Sequence, residues 1–188
     1  MEKQQMVLAD EQIEKVLRSY SVYYDIERMD ETKAPLVATA DYHEHETGYM
    51  LIRKAEMWSA DKHEYVFIYS VPELTAELFE TCMAQAKELG EAKVDPVAGH
   101  MSSNVVAVFF CQNAQPEAVE ALKKYRFRKS FQFSLKGWME IHTAVVDTGK
   151  EFVASNAPGK NTAEFLKKAL YPSIKRKKRI PIIGRRFK

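Results

Sequence analysis

A chain of 188 residues, 46% of them hydrophobic and 29% charged, suits one domain with a single core and is short for two. No apolar run approaches the ~18 residues of a membrane span, and the polar start Met1-Glu2-Lys3-Gln4-Gln5 lacks the apolar stretch of a secretory signal. The net charge of +2 hides a division: residues 167–188 hold ten Lys or Arg and no Asp or Glu, leaving 18 basic and 26 acidic residues in the rest, so a body of −8 meets a tail of +10.

In chain order, residues 9–28 read as a helix, because Ile13, Val16, Leu17, Tyr20 and Tyr24 recur at three- and four-residue steps. Asp10 is its expected cap. An extended run follows from Leu36 to His45 and another from Tyr49 to Trp58. Between them Glu46-Thr47-Gly48 suits a three-residue hairpin loop. That register sets His45 opposite Tyr49, His43 opposite Leu51 and Asp41 opposite Arg53. His63 to Val71, rich in aromatic and β-branched residues, is a third strand. Thr75 caps a helix that reaches Leu89 and stops at Gly90.

The run Val105 to Cys111 is apolar at every position, the mark of a strand covered on both faces and parallel to a neighbour. Pro116 opens a short helix ending near Tyr125. A second hairpin joins Phe127–Ser134 to Trp138–Val146. A three-residue loop, Leu135-Lys136-Gly137, pairs Phe133 with Met139, Phe131 with Ile141 and Phe127 with Val145. That register makes one face apolar and leaves Arg128, Ser130, Gln132, Trp138, Glu140 and His142 on the other. A last helix covers 161–170 and Pro172 ends it. The expected architecture is α/β: one domain over 1–172, a mixed sheet of about six strands with helices on both faces, and a basic tail over 173–188.

Three groups of residues are candidates for function. Asp41, His43 and His45 share one side of their strand by alternation, and Glu56 and His63 can join Asp41 and His43 in a site for a divalent cation. Arg128, Gln132, Trp138, Glu140 and His142 form a face able to stack on and hydrogen-bond a ligand. The tail carries Lys175, Arg176, Lys177, Lys178 and Arg179 in succession, then Ile180-Pro181-Ile182-Ile183, then Arg185 and Arg186. Such a run attracts phosphates by releasing counterions. Its other targets are anionic lipid and the protein's own acidic body.

Three strands, a helix and a strand over about residues 10–112 resemble the core of restriction-endonuclease-like, PD-(D/E)xK, domains in topology. The resemblance implies an acid such as Glu56 on the second strand and an acid-x-lysine triplet on the third. His63-Glu64-Tyr65-Val66 has no lysine two places after Glu64, so the likeness extends to architecture and not to nuclease chemistry. Pro158-Gly159-Lys160-Asn161-Thr162 departs from a phosphate loop, with Ala154 where its first glycine belongs and Asn161 in place of Ser or Thr. Cys82 and Cys111 sit among apolar residues and match no zinc spacing, so they are expected as buried thiols. The sequence thus points to a cytoplasmic, non-catalytic binding protein without a cofactor. Its tail would meet an acidic partner, nucleic acid first. A degenerate metal-dependent hydrolase or nuclease, and a protein-interaction scaffold or regulator, are the alternatives.

Overall fold

The computed structural model describes residues 2–43, 61–96 and 100–172. Four α-helices and seven strands occur among them: α1 (Glu2–Tyr20), β1 (Asp25–Arg28), β2 (Leu36–His43), β3 (Asp61–Leu74), α2 (Ala76–Lys93), β4 (His100–Ala114), α3 (Pro116–Lys124), β5 (Arg128–Ser130), β6 (Trp138–Asp147), β7 (Phe152–Ser155) and α4 (Lys160–Leu170). The strands form one mixed sheet in the order β1-β2-β3-β4-β6-β5, with β7 also paired to β6. β3, β4 and β6 run parallel, and the remaining pairings are antiparallel. The mixed α/β sheet with helices on both faces is as expected. No helix of the described residues is long and apolar enough to cross a membrane.

Alternation along the strands divides the core into two layers. Phe67, Tyr69, Phe109, Met139 and Ile141 point toward α2 and α3, while Val66, Ile68, Val108, Phe110 and Val146 point toward α1 and α4. β4 lies between β3 and β6, and Val105 through Cys111 are all fully buried, as the continuous apolar run requires. Cys82 and Cys111 are buried free thiols, and burial raises their pKa to about 11 and about 12.

Several boundaries depart from expectation for identifiable reasons. α1 begins at Glu2, so Asp10 lies inside the helix and is not its cap. Residues 2–8 contain no glycine or proline to stop a helix. The helix ends at Tyr20, and Tyr24 still reaches Tyr20 through a turn, their ring centroids 4.7 Å apart. Asp25–Arg28 is a strand instead of a helical last turn. α2 runs through Gly90 to Lys93. Gly90 is needed for close approach, because any side chain there would overlap Val105 of β4. The run 49–58 lies outside the described residues. β2 has β1 on one side and β3 on the other, so Asp41 stands between Asp25 and Tyr65 and has no open edge for Arg53.

The second hairpin forms in a different register. Arg128 pairs with Glu140, Lys129 with Met139 and Ser130 with Trp138. The Ile141 N–H donates to the Phe127 carbonyl at 3.1 Å, placing Phe127 beside Ile141 and not Val145. β7 explains the slip, because it occupies the same edge of β6 from Ala144 to Asp147 and puts Ala154 opposite Val145. The displacement is four residues, an even number, so the side chains still paired, Arg128–Ser130 and Trp138–Glu140, keep their expected faces. The cost falls on the connection, which now runs over 131–137.

Candidate functional site at the β5–β6 edge

At the end of the sheet where the parallel strands begin, one register row crosses five strands. Tyr42 of β2, Glu64 of β3, Asn104 of β4, Glu140 of β6 and Arg128 of β5 stand side by side. The row faces the α1–α4 side but lies beyond the part those helices seal, and Tyr42, Glu64, Asn104 and Glu140 are half-buried. The Tyr24 hydroxyl donates to Glu64 at 2.8 Å. Burial first, and the Glu64 charge second, push the Tyr24 hydroxyl well above its ordinary range.

The expected ligand face largely assembles here. The Arg128 guanidinium lies 4.6 Å from the Trp138 ring centre, a cation–π stack. The His142 Nε2 is 3.5 Å from the Glu140 carboxylate. Arg128, Trp138, Glu140 and His142 are therefore neighbours on one face. Gln132 is not among them, because the register slip moves it into the loop. The group offers a guanidinium plane, an indole, a carboxylate and an imidazole, a set able to stack on a planar ligand and hydrogen-bond its edge.

That loop is the most strained backbone of the described residues. Gln132, Phe133 and Ser134 are consecutive non-glycine residues at positive φ (46°, 56° and 69°), followed by Gly137 at 74°. A left-handed conformation costs such a residue about 1–2 kcal/mol, so the surroundings must hold it. Phe131 N–H donates to the Gly137 carbonyl at 3.0 Å, and Leu135 N–H to the Gln132 carbonyl at 3.0 Å. His100, buried beneath, lies 2.8 Å from the Lys136 carbonyl through Nδ1 and 2.9 Å from the Ser103 hydroxyl through Nε2. A carbonyl only accepts, so Nδ1 carries a proton and donates to Lys136. The strained turn displays Phe133 and Leu135, 100% and 85% exposed. The sequence expectation had placed Phe133 opposite Met139 in the core.

One signal in the sequence points to this edge. Residues 123–136 contain six Lys or Arg, four aromatic residues and no Asp or Glu. With this stretch and residues 167–188 set aside, the rest holds 12 basic and 26 acidic residues. Reading the segment as a strand for its alternation alone passes over its charge.

The other candidates fare differently. Asp41 and Tyr65 pair across β2 and β3, and His43 stands opposite His63. Asp41 forms an ion pair with Lys93 of α2. The His63 ring stacks parallel to His100 at 6.2 Å. Glu56 lies outside the described residues, and among those described no group of His, Cys, Asp or Glu is arranged to hold a metal ion. Lys175 to Arg179, Arg185 and Arg186 also lie outside them. At the opposite end of the sheet, a cleft of about 420 Å³ opens between α3 and the β6–β7 turn, lined in part by Val119, Lys123, Asp147 and Phe152. Asp147 is buried and occupied structurally: it accepts from the Ala114 and Lys150 N–H groups at 2.9 Å each and pairs with the Lys150 ammonium at 3.1 Å.

Residues 9–168 match the model of a family described as a domain of unknown function (DUF8052). The chain belongs to this family. The match spans the whole sheet and all but the first turns of α1, and it stops just before the basic residues 175–179 begin. No curated protein and no solved structure matches the chain.

Proposed function

We propose that the protein is a non-catalytic binding protein whose basic C-terminal tail engages an acidic partner, nucleic acid first. The observation that carries this reading is the segregation of charge: ten cations and no acid over 167–188, against an acidic body. Near the end of α4, a groove against α1 is lined by Asp10, Glu11 and Glu14, but also by Lys15 and Arg18. Glu14 is further committed to Arg28, at 2.8 Å for one of two contacts. A lining so nearly neutral is a poor competitor for a polyanion. At this groove an external polyanion has the advantage over the tail's own domain.

Fluorescence anisotropy with mixed-sequence nucleic acid tests the reading. If Lys175 to Arg179 each neutralise a phosphate, log K falls with log salt at a slope of about −4 to −5 on duplex DNA. Deleting 175–188 removes that dependence and most of the affinity. Binding that survives the deletion unchanged defeats the reading. A metal-dependent hydrolase is the second reading, favoured by the position of His43 opposite His63 with Asp41 on the same strand. It requires Mn²⁺ or Zn²⁺ to raise the melting temperature, and a protein that shows no such shift and carries no metal excludes it.

A further inference from the structure

The fold sorts the basic and aromatic segment 123–136 into two sets. Tyr125, Phe127 and Phe131 turn partly inward against the α2–α3 layer. Arg126, Arg128 and Lys129 remain exposed along the sheet edge. Phe133, fully exposed, is held out by a turn in left-handed backbone that its own sequence does not favour. A solvated phenyl ring on a strained support, with cations strung beside it, has no packing role in the monomer.

We propose that this edge binds single-stranded nucleic acid, a base stacking on Phe133 while the phosphates follow Arg128, Lys129 and Lys136. Every base has a π-face, so one exposed ring supplies affinity without sequence preference. The Arg128 guanidinium, already stacked on Trp138, provides a second flat surface. Arg128 and Lys129, successive in β5, project from opposite faces of the edge, and Lys136 lies in the turn beyond it, so a flexible strand crossing the edge can meet all three where a flat anionic membrane meets one face at a time. Lys129 also reaches Glu91 of α2, at 3.1 Å, an exposed pair that phosphate can displace at small cost. The inference shares its class of partner with the function proposed above, but it uses folded residues outside the tail, so either can fail alone.

The test measures binding of the full-length protein to labelled mixed-sequence RNA and DNA strands, and to the same DNA as a duplex, at low salt. Phe133→Ala is expected to weaken single-strand binding roughly tenfold and to leave duplex binding unchanged. Phe133→Trp restores single-strand binding, and the Phe133 effect persists in protein lacking 175–188. Replacing a fully exposed ring leaves the melting temperature in place, and Lys136→Ala provides a second variant in which the salt slope falls by about one. Three results overturn the proposal: unchanged single-strand affinity in Phe133→Ala, loss of all binding with the tail alone, or Phe133-dependent binding to phosphatidylserine vesicles with none to single strands.

Discussion

The two halves of the outer β6 edge are built in opposite ways. From Ala144 to Asp147 the edge is closed by β7 and sealed by buried polar groups. Asn156 is the clearest case, 1% exposed and fully engaged. Its Oδ1 accepts from the Thr143 and Gly159 N–H groups at 3.1 and 2.9 Å, and its Nδ2 donates to the Ile141 and Tyr125 carbonyls at 3.1 and 3.2 Å. From Trp138 to Glu140 the edge has a three-residue strand, an outward run of cations and a left-handed turn. The Asn156 hydrogen bonds tie the upper half to its surroundings, whereas the lower half spends stability to present side chains to solvent. That contrast is the reason the binding edge is proposed at the lower half.

The contrast can be broken most decisively at Asn156. Asn156→Ala leaves several buried groups unpaired and is expected to cost about 3 kcal/mol, a fall of roughly 6–12 °C in the calorimetric midpoint. A fall of under 2 °C would show that the upper half is not the stability centre. Next in size is Gly137→Ala. A Cβ there meets the His100 Nδ1 and carbonyl oxygen at 2.7 Å each in a left-handed backbone, so a loss of about 2 kcal/mol is expected in urea titration.

Ser134→Gly should act in the opposite direction. It relieves one of the three left-handed residues and raises stability by about 0.5–1 kcal/mol. A loss instead would mean that the turn is not strained. The smallest effect belongs to the exposed pair Arg28–Glu14. The hydrogen bond from Arg28 holds the Glu14 carboxyl below its ordinary value of 4.5. Its contribution is therefore fully present above pH 4.5 and is lost as pH falls through the lowered value. Solvent and salt reduce it to a few tenths of a kcal/mol, visible as a slightly flatter acid limb of the stability curve in Glu14→Gln.

Elements with a strong local signal were legible in the sequence. The unbroken apolar run of β4, the Thr75 cap of α2 (its hydroxyl accepts from Leu78 N–H at 3.1 Å) and the Pro172 stop after α4 are each written in a few adjacent residues. β1 was not legible, because Asp25-Ile26-Glu27-Arg28 is short, charged and set beside a helical stripe. Nor was the β5–β6 register. Local alternation gives only the parity of a pairing, and its offset is set by β7, which occupies the upper edge of β6. At the candidate site the parity sufficed to bring Arg128, Trp138, Glu140 and His142 to one face, but it put Phe133 inside. The proposed metal group depended on Glu56, which lies outside the described residues.

The short outer strands carry one more consequence. A sheet that ends in a long flat apolar strand invites another chain to extend it. Here β1 has three charged residues in four and β5 two in three. At high concentration the cations of two β5 edges repel each other, and the charges on β1 make that edge costly to desolvate, before hydrogen bonds can form. The cations of β5 therefore oppose edge-to-edge pairing of two β5 strands, and neutralising Arg128 and Lys129 together is expected to be felt first as a loss of solubility.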